Sequence, residues 1–131
     1  MQEPSIFTRI INGEMPCHKI YEDDNVIAFL DIHPINTGHT LVVPKKQIDH
    51  IWDLDDADFQ YLWGVAKRIA LQIRQVIDCK RVAAEVVGAD VAHAHIHLVP
   101  INLGSDIYKQ PDPDAPIDHE ALAKIASMLK M

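Results

Sequence analysis

Residues 93–100 read His-Ala-His-Ile-His-Leu-Val-Pro, which places a histidine at every second position, at His93, His95 and His97. Side chains alternate between the two faces of an extended strand, so the three imidazoles would share one face. The intervening apolar side chains would then face the core. The pattern predicts a half-buried strand with a surface of three imidazoles.

The segments around this stretch predict the rest of a sheet. Apolar runs bounded by turn residues indicate strands, and two such runs joined by a short turn indicate a hairpin. Gly88-Ala89-Asp90 would be the turn of one hairpin, and Glu22-Asp23-Asp24-Asn25 the turn of another. The predicted strands are His18–Tyr21, Val26–Asp31, Thr40–Val43, Arg81–Val87 and Val91–Pro100.

Apolar residues recur at steps of three and four over 55–78, which predicts a long amphipathic helix capped by Asp55. Shorter helices are predicted over Ser5–Ile11 and Asp118–Leu129, and 101–116 is an irregular acidic segment. Hairpins separated by a single long helix favour an α+β fold on a mostly antiparallel sheet, because a parallel sheet needs repeated crossovers.

Length and composition predict one domain over 1–131, with a core at about 4–101 and an acidic segment and helix over 102–131. No apolar run approaches the roughly 18 residues of a membrane span, and no signal peptide is recognised, so a cytoplasmic protein is expected. The net charge of −7 argues against binding nucleic-acid polymers. Cys17 and Cys79 are expected to be free thiols.

Two kinds of chemistry suit three histidines on one face. A neutral imidazole can attack phosphorus while neighbouring donors stabilise the charge on the phosphoryl oxygens. Alternating histidines on a strand can also hold zinc. The spacing alone leaves both alternatives open.

Two motifs carry a family resemblance. Asp31-Ile-His-Pro-Ile-Asn-Thr-Gly-His-Thr-Leu-Val-Val-Pro-Lys45, followed later by His-x-His-x-His, resembles the histidine triad (HIT) family of nucleotide hydrolases and transferases, in its nucleotide-binding, Hint-like branch. Further motifs follow in the family's order from Ser5 to Pro100. The resemblance implies an α+β domain with a five-stranded antiparallel sheet, long and terminal helices, and a homodimer in which two sheets join.

The same resemblance implies roles for four histidines. His95 would attack the α-phosphorus of a nucleotide and form a nucleotidyl-histidine intermediate, which water resolves. His97 and His39 would contact phosphate oxygens or the leaving group. His93 would orient the nucleophile through its backbone.

For the nucleoside, the resemblance implies that a carboxylate binds the ribose hydroxyls beside an apolar slot for a purine. For each apolar residue of the slot, core packing is an equal alternative. The implied substrate-binding residues are Asp31, Ile32, Phe29, Ile6, Phe7, Ile10, Asp90 and Val91.

The chain departs from relatives at three places. Many have Gly-Gln and then Ser or Thr where this chain has Gly88-Ala89-Asp90, and the Asp90 carboxylate would repel phosphate unless it turned away or met a cation or a leaving-group amine. Relatives commonly carry an Asn on the strand before, where Glu85 lies here. Some hold structural zinc through Cys-x-x-Cys, where this chain has Ser5-Ile-Phe-Thr8, so we expect no metal and no cofactor.

The expected function is therefore cleavage at the α-phosphate of a phosphoramidate, an acyl-nucleotide or a dinucleoside polyphosphate. One alternative is a nucleotide-binding regulatory module with incidental hydrolysis. Another is a zinc-dependent hydrolase built on the same strand.

Overall fold

The computed structural model describes residues 2–131. Its helices and strands follow one another along the chain in the order that the sequence predicts. They are α1 (Ile6–Ile11), β1 (Lys19–Glu22), β2 (Val26–Leu30), β3 (Thr40–Pro44), α2 (Asp56–Val76), β4 (Arg81–Glu85), β5 (Ile96–Ile101) and α3 (His119–Leu129), with 3-10 turns at Ile51–Asp53 and Gly104–Tyr108.

The five strands form one sheet in the order β1-β2-β3-β5-β4, and every neighbouring pair is antiparallel. This confirms the predicted α+β fold with a five-stranded antiparallel sheet. β1 and β4 are the two edges. At the β1 edge the backbone N–H of Met131 donates to the carbonyl of Ile20 at 3.1 Å, so the end of the chain lies against that strand.

One face of the sheet packs against α2. This helix is capped by Asp55, whose side chain accepts a hydrogen bond from the backbone N–H of Asp58. The buried stripe of α2 meets alternate residues of β2, β3 and β5 and the buried side chains of α3. Ala94, Ile96 and Leu98 all lie in this core, as their alternation with the histidines predicts. No helix in the described part of the chain is long and apolar enough to cross a membrane.

The opposite face of the sheet carries a second, smaller apolar cluster of Phe7, Ile27, Phe29, Leu41 and Val43. Phe7 comes from α1 and the other four come from β2 and β3. α1 therefore covers only part of this face. His95 and His97 line the cavity that remains beside α1, whereas His93 is buried.

The histidine strand is shorter than predicted, because β5 begins at Ile96 rather than at residue 91. In the β3–β5 register Val42 faces Ile96, so Pro44 would come opposite Ala94. Proline has no N–H to donate to a ladder. The Pro44 carbonyl contacts His93 Nε2 at 2.7 Å, and the Ala94 N–H donates to Ile48 instead. β4 likewise ends at Glu85 rather than at residue 87.

Gly38 fixes the approach to β3. Its φ of +93° lies in the left-handed region, which disfavours side chains, and a Cβ built there would lie 3.1 Å from the Ile77 side chain and 3.2 Å from that of Pro100. Only glycine fits this position without displacing its neighbours. The turn sets His39 at the start of β3, next to β5.

Candidate functional site

A cavity of about 410 Å³ opens between α1, the second face of the sheet and the loop before β5. We call it the main cavity. All eight residues implied to bind substrate line it: Ile6, Phe7, Ile10, Phe29, Asp31, Ile32, Asp90 and Val91. His95 and His97 also line it, whereas His39 and His93 do not. The three imidazoles of residues 93–97 therefore do not share one open surface.

His95 is held with one nitrogen bonded to the backbone. Its Nδ1 lies 2.7 Å from the carbonyl oxygen of His93, and because a carbonyl only accepts, Nδ1 carries the proton. In the neutral ring, Nε2 then keeps its lone pair. Burial lowers the pKa of His95, and the hydrogen bond to His93 and the carboxylates of Asp31 and Asp90 partly oppose this shift. The ring is thus favoured in its neutral, nucleophilic form.

Phe7 packs against this ring. The ring centroids of Phe7 and His95 are 4.8 Å apart with an interplanar angle of 81°, an edge-to-face contact. Phe7 also contacts Phe29 edge-to-face, with centroids 5.6 Å apart. Phe7 of α1 therefore forms part of the apolar wall of the cavity and also packs against the ring of His95.

His97 is polarised by a chain of hydrogen bonds that begins at the backbone. The N–H of Ile35 donates to His39 Nδ1 over 3.0 Å, so the proton of neutral His39 is on Nε2. That Nε2 lies 2.9 Å from Nδ1 of His97, which must accept. The remaining proton of His97 is then on its Nε2, the nitrogen that neither His39 nor the backbone uses.

Burial, together with the nearby His95, lowers the pKa of both His39 and His97 to about 4. Both rings are neutral near pH 7. The pair can therefore present one N–H donor from His97, but His39 lies behind it with both nitrogens engaged. Direct contact of His39 with phosphate, implied by the resemblance, does not match this placement.

His93 is completely buried and holds two parts of the chain together. Its Nε2 is bonded to the Pro44 carbonyl, so Nδ1 accepts from the Ser5 hydroxyl at 2.7 Å. The same hydroxyl accepts the Thr8 N–H as the cap of α1. Thr8 in turn donates to Gln47 over 2.6 Å.

The resemblance aligns Ser5–Thr8 with the Cys-x-x-Cys of some relatives. Two hydroxyls contact His93 here and a carboxamide accepts from one of them, whereas structural zinc takes thiolate, imidazole or carboxylate ligands. The residues present do not fit a structural zinc ion. A hydrogen-bonded network joins α1 to His93 instead.

Asp31 follows β2 and faces the main cavity. One carboxylate oxygen accepts the His33 N–H at 2.8 Å, and the other lies 3.7 Å from His39 Nε2. Asp31, His39 and His97 offer three ligand atoms within 4.8 Å of one another, so this group has the composition to hold a metal ion. The group contains only one of the three strand histidines, so a zinc site here would differ from the one that the alternation of His93, His95 and His97 suggested.

Sequence reasoning missed several residues that line the main cavity. Met15, Pro16 and Cys17 come from the connection between α1 and β1, and the sequence gives no periodic signal there. Cys17 and Cys79 are both free, as expected. The cluster of Ser5, Thr8 and Gln47 was also missed, although the S-x-x-T spacing at the start of α1 indicates a helix cap.

The acidic segment after β5 lies elsewhere. It encloses a separate cavity of about 260 Å³ against residues 32–39, and His33 Nε2 lies 3.2 Å from the Ala115 carbonyl. Within residues 2–131, no residue beyond His97 lines the main cavity. The acidic segment therefore packs against the loop that carries His39, on the side opposite the main cavity.

Comparison with known proteins identifies the family. A model of the HIT domain matches residues 12–102. A curated relative, an uncharacterised HIT-like protein of Methanocaldococcus jannaschii, is 40% identical over 99 residues, which are 72% of this chain and 77% of the relative.

Solved structures agree with this match. A Hit-like protein of Bartonella henselae, described as involved in cell-cycle regulation, superposes with a TM-score of 0.85 at 28% identity and covers 98% of this chain and 96% of its own. A hypothetical histidine triad nucleotide-binding protein of Sulfolobus tokodaii gives 0.78 at 28%, covering 94% and 87%. A zinc-bound histidine triad protein of Mycobacterium smegmatis gives 0.76 at 30%, covering 95% and 91%.

Proposed function

Because the chain belongs to the HIT domain family, we propose that it hydrolyses purine nucleotide conjugates at the α-phosphate through a nucleotidyl-histidine intermediate. One observation carries the proposal. His95 Nδ1 donates a hydrogen bond to the His93 carbonyl, so the lone pair of Nε2 is free. The ring lines the main cavity beside His97. A nucleophile and a hydrogen-bond donor are thus neighbours in one cavity.

The first step forms a bond between His95 Nε2 and phosphorus. The bond between phosphorus and the leaving group breaks, and its electron pair goes to the leaving atom, which takes a proton. Solvent supplies this proton, because neutral His97 carries only the proton on Nε2 and losing it would leave an imidazolate. The Nε2–H of His97 donates a hydrogen bond to the phosphoryl oxygens and stabilises the charge that gathers on them.

The second step returns the protein to its starting state. Water attacks the phosphorus and releases a proton to solvent, and the bond from phosphorus to His95 breaks as its electron pair returns to Nε2. His97 stays neutral in both steps and donates its hydrogen bond to the phosphoryl oxygens. Its pKa of about 4 keeps it in this neutral form near pH 7.

Nucleoside binding uses the other end of the cavity. Asp31 is 22% exposed at its side chain and has a free oxygen lone pair for ribose hydroxyls. Ile6, Ile10 and Phe29 give an apolar slot in which a purine can stack. None of these apolar side chains forms hydrogen bonds with the edge of the base, so the slot does not distinguish the two purines and either one fits.

A homodimer is part of the proposal. β4 is the edge strand whose far side is uncovered in the single chain, whereas the β1 edge meets the chain end at Met131. Open edges favour pairing with another strand. Sedimentation should give twice the chain mass, and a monomer mass that is independent of concentration would contradict this point.

The regulatory alternative predicts binding without turnover. Asp90 in the cavity is the observation that favours it, since its carboxylate would repel the phosphate in the transition state. Adenosine 5′-phosphoramidate and diadenosine polyphosphates separate the two functions. Micromolar binding of both with turnover no faster than in buffer would favour the regulatory module.

The zinc alternative predicts loss of activity with a chelator. Its ligands would be Asp31, His39 and His97. Full activity of protein that elemental analysis shows to be metal-free would exclude it.

Removing the nucleophile tests the proposal directly. We expect His95→Ala to abolish turnover of adenosine 5′-phosphoramidate and to retain AMP binding within a few-fold, because Asp31 and the apolar slot remain. His50→Ala is the matched control, since that side chain is 73% exposed and lies outside the main cavity. Retained turnover in purified His95→Ala would refute the assignment.

A further inference from the structure

The main cavity is unusual in its charge for a site that handles phosphates. No lysine or arginine is among the residues of 2–131 that line it. Its charged side chains are two carboxylates, Asp31 and Asp90. The imidazoles of His95 and His97 are held neutral by burial. The cavity wall is therefore negative near pH 7.

The two carboxylates differ in what they contact. Asp31 accepts the His33 N–H and lies 3.7 Å from His39. Asp90 is exposed on the loop before the histidines, and no ion pair within the described residues involves it. Its charge is therefore not neutralised by a neighbouring side chain.

Asp90 lines the same cavity as His95 and His97. In line with this placement, its carboxylate opposes the lowering of the pKa of both histidines that burial causes. An unpaired negative charge in the cavity also interacts with whatever leaves the phosphorus. A polyphosphate or carboxylate leaving group is repelled, and an ammonium group is attracted.

We propose that Asp90 is a specificity-determining residue that selects nucleoside phosphoramidates whose leaving amine carries a further positive charge, and disfavours anionic leaving groups. The inference rests on the proposed function. In the reaction the P–N bond breaks as the bond from His95 Nε2 to phosphorus forms, and the leaving nitrogen takes the electron pair and a proton. Asp90 forms an ion pair with the distal ammonium of the same leaving group.

Three adenosine 5′-phosphoramidates of equal chain length test this selection. They are made from 1,3-diaminopropane, propylamine and β-alanine, so the leaving group is cationic, neutral or anionic at its far end. kcat/KM is measured at pH 8 for the wild type, Asp90→Asn and Asp78→Asn. Asp78 is exposed and lies outside the main cavity, so its variant changes the net charge equally without changing the cavity.

We expect the wild type to favour the cationic over the anionic substrate by about tenfold, because the attraction of one and the repulsion of the other each contribute up to about fivefold. Asp90→Asn should reduce this ratio to within about threefold of unity, while Asp78→Asn leaves it unchanged. Dividing the kcat/KM of each variant by that of the wild type for the same substrate cancels the intrinsic reactivity of each amine. Raising the salt concentration should shrink the wild-type ratio and have little effect on Asp90→Asn.

Three results would overturn the inference in distinguishable ways. If the wild type turns over all three substrates with a ratio that Asp90→Asn does not change, Asp90 does not select the leaving group and the proposed function stands. If the wild type turns over none of the three but hydrolyses a diadenosine polyphosphate, this inference fails and the proposed function stands. If it hydrolyses none of these compounds, both fail.

Discussion

The Nδ1 of His95 donates a hydrogen bond of 2.7 Å to the backbone carbonyl of His93, two residues earlier in the chain. This contact is local, but it depends on a distant one. His93 is fixed by Pro44 on one ring nitrogen and by Ser5 on the other. The tautomer of the proposed nucleophile is thus set by a backbone that two distant segments hold in place.

The bond from Ser5 to His93 should contribute to stability. Ser5→Ala removes the cap of α1 and leaves a buried imidazole nitrogen without its donor. We expect a loss of about 1–3 kcal/mol in the free energy of unfolding. Urea denaturation at pH 8 measures it, with Ser5→Thr as the control that keeps a hydroxyl. A change below about 0.5 kcal/mol for Ser5→Ala would show that the network is not stabilising.

His39 and His97 should behave as one functional unit, because the only free nitrogen of the pair is on His97. His39→Asn and His97→Asn should each lower kcat by about 10²–10³-fold, the loss expected when one donor to the phosphoryl oxygens is removed or misplaced. The double variant should lose little more than the worse single variant. The measurement is a double-mutant cycle on kcat with saturating substrate. Multiplicative losses would mean that His39 acts on the substrate independently.

Stability should fall in mild acid. Burial lowers the pKa of His39 and His97 from 6.5 to about 4, so between these values the unfolded chain binds protons that the folded chain does not. Their contribution is complete above pH 6.5 and is lost as the pH falls towards about 4. Each group adds a slope of up to about 1.4 kcal/mol per pH unit.

Unfolding free energies at several pH values check this dependence. His39→Asn has one fewer buried imidazole, so its curve should be shallower than that of the wild type over the same interval. A wild-type stability that stays constant from pH 6.5 to 4.5 would contradict the placement of these two rings.

Asp31 should distinguish ribose from deoxyribose. Hydrogen bonds to a carboxylate contribute about 1.5–3 kcal/mol each, so AMP should bind wild type at least about tenfold more tightly than 2′,3′-dideoxy-AMP. Asp31→Ala should bind both equally, whereas Asp31→Asn keeps an acceptor for the His33 N–H and serves as the structural control. Calorimetric titration measures the affinities. Equal wild-type affinities would place the ribose elsewhere.

Local patterns were sufficient for the framework of the fold. The period of α2, its cap at Asp55 and the alternation of Ala94, Ile96 and Leu98 follow from short-range rules, and the structure has all three. The start of β5 could not be predicted in this way. It depends on the absence of an N–H at Pro44, which is about 50 residues earlier in the chain but a neighbour in the sheet.

The candidate site, like the fold, could be predicted from local patterns only in part. The eight substrate-binding residues implied by the resemblance line one cavity with His95 and His97, because short motifs fix their positions on strands and turns, but His39 and His93 lie outside it. Which histidines are open and which are buried depends on tertiary contacts. The roles of Ser5 towards His93 and of His39 towards His97 join residues 88 and 58 positions apart, and no local pattern in the chain indicates either pair.

The central claim is that His95 becomes covalently attached to the nucleotide. Rapid acid-free quenching of the enzyme with adenosine 5′-phosphoramidate, followed by intact-mass and peptide mass spectrometry at alkaline pH, measures this directly. We predict an added adenylyl group on the peptide that contains residues 93–97, localised to His95 and absent from His95→Ala. An adduct on a residue other than His95, or undiminished turnover by His95→Ala, would contradict the account.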